Sequence, residues 1–365
     1  MKSTVMRFTS VFLSLALLLG FLGACAKAPA PAPAPKPAPA PTPAPAPAPA
    51  AEVFHWKMYQ IYGVGNASAL VFEDWTELIR KSSDGRLDIK VYYPGELPFK
   101  PAQAYEITRD RAVDVALASS ATSVTVPFAG LMNVPFLSRN AADLQRGWAT
   151  WLKLLQPSFD KYNVIPLGVQ SYAMQQVFAN KPITSFADLK GMKLRVNTVE
   201  LTDLCEKVFQ ADPVQIATAE VYQSLQRGTV DGVITAMVYC VDAKLNEALG
   251  YALYPSTVSG IGNAFIINED AFNELPEDLQ QLLLLSGNYL ERRFEQVAFV
   301  LDHDRRMKAE QAGMKITAVP DAEWREYQTK VSPVWSGWAE RAGPEGVNAL
   351  SAILEALGIE HLWQR

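Results

Sequence analysis

The chain has 365 residues, and 49% of them are hydrophobic, which is enough apolar material for a large core and about two domains. Residues 1–51 hold four basic side chains and no acidic ones, so residues 52–365 carry 29 basic and 38 acidic side chains, a net charge of about −9. This balance, and the lack of basic runs interleaved with aromatic residues, argue against a nucleic-acid partner.

The first 25 residues predict a lipoprotein signal peptide. Lys2 and Arg7 form a short basic region, residues 8–21 form an apolar run, and Leu-Gly-Ala then precedes Cys25. In this pattern the cysteine becomes the lipidated first residue of the mature protein, which is then attached to a membrane outside the cytoplasm. The alternatives are an ordinary secretory signal with an incidental cysteine, and a membrane-spanning anchor, for which the run is short.

Residues 26–51 predict an extended tether. They mostly alternate alanine with proline and contain 11 of the 25 prolines. Such a segment favours a polyproline-II-like spacer, which at about 3.1 Å per residue spans tens of ångströms. A proline-rich docking ligand is the alternative, but the repeat offers few distinctive side chains for a partner to read. We therefore expect a globular body, residues 52–365, held away from a membrane.

The first part of this body predicts alternating strands and helices. Apolar periodicity places strands at 53–62, 87–93 and 113–118, and helices at 69–81 and 102–109. Strand–helix–strand order implies right-handed crossovers and a parallel sheet. The loop at 63–68 precedes a helix, and we expect it to face a ligand because helix amino termini favour negative groups.

The second part predicts a second lobe and a long connecting helix. Residues 164–177 form an extended run that leaves the first sheet, and residues 276–312 form a helix long enough to lie across both lobes. Other elements are a strand ending at Arg195, a helix from Leu201, a helix at 221–226, a strand at 230–238, and helices at 321–342 and 347–357. We expect lobe I to comprise about 52–172 plus part of 258–365, and lobe II about 173–257.

A loose internal sequence repeat also favours two lobes of similar build. Residues 111–116, Arg-Ala-Val-Asp-Val-Ala, recur loosely at 227–233 as Arg-Gly-Thr-Val-Asp-Gly-Val. Each copy follows a predicted helix and opens a predicted strand. Chance similarity is the alternative at this length.

Arg195 is the candidate centre of a binding site. Met192, Leu194 and Val196 alternate with charged residues, which is typical of a strand, and Thr198 follows as a helix cap. Ligands in open α/β sheets bind outside the carboxyl ends of the strands, so a guanidinium there is well placed to meet an anion. The alternative is that Arg195 pairs with a neighbouring carboxylate on the sheet edge.

The cysteines and histidines predict no cofactor or metal site. Cys205 and Cys240 lie in dissimilar contexts, and we expect buried thiols although a disulfide is permitted outside the cytoplasm. His55, His303 and His361 show no metal-ligand spacing. The sequence also lacks a nucleophile elbow or paired-carboxylate motif, so a hydrolase, although considered, is not favoured.

Three motifs resemble those of the extracytoplasmic solute-binding proteins of tripartite ATP-independent periplasmic (TRAP) transporters, of the dicarboxylate-binding type. They are Lys-Pro-Ile at 181–183 with Asp-Leu-Lys-Gly-Met-Lys-Leu-Arg-Val at 188–196, Glu-Val-Tyr through Val-Asp-Gly at 220–232, and Phe-Asn-Glu-Leu-Pro at 272–276. The resemblance covers residues 54–331. It implies a two-lobed α/β periplasmic-binding-protein architecture, with crossing strands and one long helix that spans both lobes.

The resemblance also implies a function. Such a protein captures a small organic acid outside the cytoplasm and delivers it to integral membrane permease subunits, so it is not an enzyme. A ligand-sensing lipoprotein that uses the same cleft for signalling is the alternative.

The resemblance further implies a set of ligand-binding residues. Arg195 would hold the ligand carboxylate in a bidentate salt bridge, which a planar guanidinium can form and lysine cannot. The same cleft would contain Asn197, Thr218, Ser119, Ser120, Tyr62, Tyr172, Gln175, Thr235 and Met237. Gln175 stands where some members of the family have a second arginine, and Ile234-Thr235 stands where many have Glu-Asn. We therefore expect a monocarboxylate with an apolar or aromatic remainder.

Overall fold

Two mixed sheets form the framework of the computed structural model, which describes residues 52–63, 66–171, 174–260 and 262–364. The first sheet has the order β2-β1-β3-β10-β4, and the second has the order β11-β9-β5-β8-β6-β7. The strands of the first are β1 Phe54–Tyr59, β2 Leu87–Tyr92, β3 Val115–Ala118, β4 Val164–Ser171 and β10 Gly262–Asn268. The strands of the second are β5 Gln175–Ala179, β6 Lys193–Val196, β7 Asp212–Gln215, β8 Gly232–Ala236, β9 Tyr251–Leu253 and β11 Lys315–Thr317.

Helices cover these sheets. They are α1 Ala67–Ser82, α2 Ala104–Arg109, α3 Ala141–Lys161, α4 Val199–Leu204, α5 Val221–Gln226, α6 Met237–Asp242, α7 Glu269–Asn273, α8 Glu277–Gln311, α9 Asp321–Lys330, α10 Ser332–Arg341 and α11 Gly346–Leu357. The fold is therefore two-lobed and α/β, as predicted. None of the helices in the described ranges is both long and apolar enough to cross a bilayer.

The parallel part of each sheet follows from strand–helix–strand order. Strand β1 pairs in parallel with β2 and β3, and β6 pairs in parallel with β7 and β8. The later strand β10 lies antiparallel between β3 and β4, so the first sheet is mixed rather than wholly parallel. The predicted crossing is present, because β4 belongs to the first sheet and β5 to the second.

The repeated Val-Asp motif has the same structural role in both sheets. The side chain of Asp114 accepts a hydrogen bond from the backbone N–H of Lys57 at 2.8 Å, and that of Asp231 accepts one from the N–H of Lys193 at 3.0 Å. The N–H groups of the two aspartates bond back to the carbonyls of the same lysines. Each aspartate thus fixes the register of the strand that follows it, β3 against β1 and β8 against β6. This shared role supports the predicted internal repeat.

The long helix α8 links the two halves of the described body. It runs for 35 residues and packs against α1 and β4 on one side of the crossing and α6 on the other. Leu283, Leu290 and Phe294 are buried along one stripe, as its periodicity predicts. At Gly287 a Cβ atom would lie 2.1 Å from the carbonyl oxygen of Leu167, so only glycine permits this approach of helix to strand.

Several predicted boundaries differ from the structure, and three of these differences have a direct physical reason. The extended run at 164–177 is two strands, because the chain changes sheet between Ser171 and Gln175. The strand predicted at 230–238 stops at Ala236, since the apolar residues after it form the buried first turn of α6, and a short apolar run fits either structure. The helix predicted at 321–342 breaks at Val331, because Pro333 lacks the N–H that would continue α9.

The two cysteines of the described body behave as expected. Cys205 and Cys240 are buried free thiols. Burial raises the pKa of Cys205 to about 12, and burial also raises that of Cys240, so neither forms a reactive thiolate at neutral pH. Within the described ranges no group of three or more His, Cys, Asp or Glu side chains could hold a metal ion.

Candidate functional site

Arg195 lies near the carboxyl end of β6, in the interior of the second sheet. It pairs with Val233 of β8 on one side and Val214 of β7 on the other. Its neighbours Leu194 and Val196 point to the core on the opposite face, because side chains alternate along a strand. The side chain of Arg195 is therefore on the face of Val233, and only 2% of the residue is exposed.

The loop after β7 holds the guanidinium. The Nε atom of Arg195 donates to the carbonyl oxygen of Ile216 at 3.0 Å, and Nη2 donates to Oγ1 of Thr218 at 3.3 Å. The hydroxyl of Tyr239, on α6, donates to the carbonyl oxygen of Thr218 at 2.9 Å. Nη1 has no hydrogen-bond partner among the described residues. The guanidinium is thus fixed in orientation and keeps donor capacity free.

The charge of Arg195 is not neutralised by a neighbouring carboxylate. Arg195 forms no ion pair with the carboxylates that the structure describes, and it is the only buried lysine or arginine in those ranges. Burial lowers the pKa of its guanidinium, and because arginine ordinarily titrates above pH 12, the group stays charged. The predicted alternative, a structural pair at the sheet edge, does not occur among the described residues.

The other predicted residues of the second sheet are not all beside Arg195. Thr235 is buried and shares the face of Arg195, two residues beyond Val233. Gln175 lies opposite Ala236, so its side chain starts from the other face at the same edge, and its Oε1 is buried without a partner. Met237 is fully buried in the apolar cluster under α6, and Asn197 is exposed.

The predicted residues of the first sheet follow the carboxyl ends of their strands. Ser119 is buried after β3, and its hydroxyl accepts from the N–H of Ala121 at 3.3 Å; Ser120 is half-buried beside it. Tyr62 follows β1, and its hydroxyl donates to Oε1 of Gln170 at 3.1 Å. Tyr172 and Cys25 lie outside the described residues.

Sequence reasoning missed a buried amide pair at this edge of the first sheet. Gln170 on β4 and Asn263 on β10 are directly opposite, and Nδ2 of Asn263 donates to Oε1 of Gln170 at 2.8 Å and to the Tyr62 hydroxyl at 3.3 Å. Nε2 of Gln170 is buried and has no partner within the described part of the chain. The signal that could have found the pair is a polar residue near the end of each of two apolar strands. Tyr239 was also missed, because only the fold brings it to Thr218.

The sequence matches the family described as "Bacterial extracellular solute-binding protein, family 7" over residues 64–341. The chain belongs to this family. The predicted recognition of a TRAP extracytoplasmic solute-binding protein is confirmed, and so is the prediction that the chain is not an enzyme. A curated relative, the C4-dicarboxylate-binding periplasmic protein DctP of Rhodobacter capsulatus, is 27% identical over 293 residues, which cover 76% of this chain and 84% of the relative.

Solved structures share the fold of this family member. An extracytoplasmic solute receptor from Bordetella pertussis, described as binding pyroglutamic acid, has a TM-score of 0.69 and 22% identity over 82% of this chain and 99% of its own. A TRAP solute-binding protein from Desulfovibrio salexigens with bound orotic acid has a TM-score of 0.70 and 19% identity over 83% and 98%. At these identities the likeness shows the fold, and the ligand of this chain has to be argued from its own residues.

Proposed function

We propose that this protein captures a small organic acid through Arg195 and delivers it to TRAP permease subunits in the membrane. The observation that carries the proposal is the buried, charged guanidinium at the carboxyl edge of the second sheet, which forms no ion pair with the carboxylates that the structure describes. Removing a charge from water costs several kcal/mol unless an opposite charge compensates it. A ligand carboxylate supplies that charge, and the free Nη1 together with Nη2 offers it two N–H donors.

The surroundings of Arg195 support a monocarboxylate. In the described ranges no second buried cation is available for another carboxylate, and Gln175 offers only a neutral amide at the edge. A second ligand carboxylate would lose its hydration without gaining an ionic partner. An apolar or aromatic remainder, by contrast, gains about 25 cal/mol for each Å² removed from water. The relatives described with C4-dicarboxylate, pyroglutamic acid and orotic acid all bind acids, which supports the broader class.

The amide pair of the first sheet is a second contact point in this proposal. Nε2 of Gln170 is a buried donor without a partner among the described residues, and its neighbour Tyr62 follows the carboxyl end of β1. A neutral acceptor on the ligand, such as a carbonyl or hydroxyl oxygen, would satisfy this donor at no cost in charge. The acid would then contact both lobes, and lobe closure would enclose it.

A ligand screen tests the proposal. Thermal-shift measurements would compare monocarboxylates of increasing apolar size with dicarboxylates of matched length, followed by calorimetry on each hit. We expect Arg195→Ala to weaken the affinity for the best-binding monocarboxylate at least about tenfold, since a charge-assisted contact contributes about 2 kcal/mol. Arg227→Ala, an exposed arginine in the same half, is the matched control and leaves affinity unchanged. Unchanged affinity in Arg195→Ala, or consistent preference for dicarboxylates, contradicts the proposal.

We also propose that Cys25 carries a lipid and that residues 26–51 act as a tether. The signal pattern before Cys25 and the Ala-Pro repeat support this arrangement. Cys25→Ala should move the protein from the membrane fraction to the soluble fraction, while its affinity for the ligand stays the same. Retention of the variant in the membrane fraction would argue for a different attachment.

A further inference from the structure

A cavity lies where two crossing segments, the β4–β5 connection and the β9–β10 connection, meet the long helix α8. Its volume is about 390 Å³, and neither Arg195 nor Thr218 lines it. One wall is the end of β4 with the start of β5, a second is the segment after β9, and a third is the middle of α8. This volume falls in the range of small-molecule sites in proteins.

Two buried oxygen atoms, on side chains of residues that line this cavity, have no hydrogen-bond partner among the described residues. They are Oγ of Ser171, a residue that is 2% exposed, and Oδ1 of Asp302. The other oxygen of Asp302 accepts from the hydroxyl of Tyr254. Buried polar atoms are nearly always paired, so two unpaired oxygens at one cavity indicate a missing donor.

The charge of the cavity wall is negative. Glu295 lies two turns before Asp302 on α8, so both carboxylates line the same side. Burial raises the pKa of each, although Arg292 acts in the opposite direction on Glu295, and Tyr254 and Arg306 do so on Asp302. The nearest cation on the rim, Arg139, is already engaged by Asp321 at 3.2 Å and by the carbonyl oxygens of Pro255 and Val319.

The side-chain oxygen of Gln176, another polar group of the cavity wall, is already satisfied. Oε1 of Gln176 accepts from the N–H and hydroxyl of Ser256 and from the N–H of Thr257, at 2.6 to 3.0 Å. These bonds join β5 to the segment after β9. They use the hydrogen-bonding capacity of that oxygen, so it is not available to a ligand. Apolar atoms supply other parts of the wall, including Phe299, which is 77% exposed at the rim.

We propose that this cavity is a binding site for a small organic cation, a protonated primary amine with a short apolar body. The ammonium group would donate to Oδ1 of Asp302 and Oγ of Ser171, and the apolar body would lie against Phe299 at the rim. Neither Arg195 nor Thr218 lines this cavity, so the proposal does not depend on the acid-binding function. Because its walls belong to both crossing segments and to α8, its occupant contacts the elements that connect the two lobes.

Binding of butylammonium to the full-length chain tests this proposal, with 1-butanol as a neutral probe of similar shape. We expect saturable binding of butylammonium in calorimetry or ligand-observed NMR, tighter than that of 1-butanol. Asp302→Asn keeps an acceptor for the Tyr254 hydroxyl and should weaken the binding of butylammonium about tenfold or more. Asp304→Asn is the matched control and should have no effect, because this half-buried carboxylate on the same helix does not line the cavity and pairs with Arg305 and Lys308. Arg195→Ala should also leave this binding unchanged.

Three results would overturn the proposal. They are equal binding of butylammonium and 1-butanol, equal loss in the two aspartate variants, and no saturable binding in the millimolar range. Thermal unfolding of each variant shows whether it is folded. If Asp302→Asn does not fold, Ser171→Ala provides the test, since loss of the hydroxyl should weaken butylammonium and leave 1-butanol unchanged.

Discussion

The Nε atom of Arg195 donates a hydrogen bond to the carbonyl oxygen of Ile216 at 3.0 Å, which links the end of β6 to the loop that leaves β7. This bond uses the Nε–H group and leaves the two terminal nitrogens for other acceptors. Nη2 is held in turn by Thr218. The planar fork is therefore oriented before any ligand arrives, which reduces the entropy lost on binding.

Arg195→Lys should lose most of the affinity for the acid although it keeps the positive charge. An ammonium group cannot bond to Ile216 and also present a planar pair of donors. We expect a loss of about tenfold or more in affinity by calorimetry, close to that of Arg195→Ala. Full affinity in the lysine variant would show that charge alone is recognised and that the fork geometry has no role.

Thr218→Val should weaken binding of the acid by a smaller factor than Arg195→Lys does. The substitution is nearly isosteric and removes only the oxygen that accepts from Nη2 of Arg195 at 3.3 Å. A hydrogen bond at an exposed residue contributes about 1 kcal/mol, which corresponds to roughly fivefold in affinity. Thr229→Val, at another exposed threonine of the same half, is the control for loss of a hydroxyl. Equal effects of the two substitutions in calorimetry would argue against a positioning role for Thr218.

The two register-fixing aspartates should respond differently to substitution. Burial opposes ionisation of Asp231, but the N–H of Lys193 and the ammonium of Lys181 outweigh it, so its pKa is lowered. Burial raises the pKa of Asp114, because the N–H of Lys57 compensates only in part. Ionisation of Asp231 thus stabilises the fold at neutral pH. Ionisation of Asp114 does not stabilise the fold in the same way.

At neutral pH, Asp231→Asn should lower the free energy of unfolding by about 1 kcal/mol, and Asp114→Asn by less. The lowered pKa of Asp231 means that its contribution is present above its unfolded pKa of about 3.9 and is lost as the pH falls through the folded value. Urea unfolding at about pH 7 and about pH 3.5 measures this dependence. The free energies of unfolding of the two variants should become equal in acid. A difference between them that persists there would contradict the roles assigned to the two aspartates.

Local patterns predicted most of the framework. The alternation around Leu194 and Val196 placed β6 correctly, and the stripe through Leu283 and Leu290 predicted α8, because both depend only on which side of an element is buried. The break at Val331 was missed, since α9 and α10 share one apolar pattern and only Pro333 separates them. Where two structures fit the same apolar run, tertiary packing decides between them.

The site was only partly predictable for a related reason. Arg195 was found because a charge at a strand end has a local signature. Gln170 and Asn263 are 93 residues apart in the chain, and their pairing follows from β10 running antiparallel to β4, which no local pattern encodes. The roles of Tyr239 and the Ile216 carbonyl likewise depend on how the loop after β7 approaches α6.

Gly287→Ala should destabilise the protein strongly. The added Cβ atom would lie 2.1 Å from the carbonyl oxygen of Leu167, so α8 would have to move away from β4. Helix propensity alone favours alanine by nearly 1 kcal/mol, but overpacking against a backbone atom typically costs 1–3 kcal/mol or more. We expect a net loss of about 1–2 kcal/mol in the free energy of unfolding, measured in urea.

Gly250→Ala is the matched control for this prediction. A Cβ atom there meets no heavy atom within 4 Å, and the backbone does not have a positive φ. This substitution should leave the unfolding midpoint unchanged or raise it slightly, because alanine restricts the unfolded chain. If both variants retained the parent stability, α8 would be free to shift on β4. The long helix would then be a sliding contact between the lobes rather than a fixed strut.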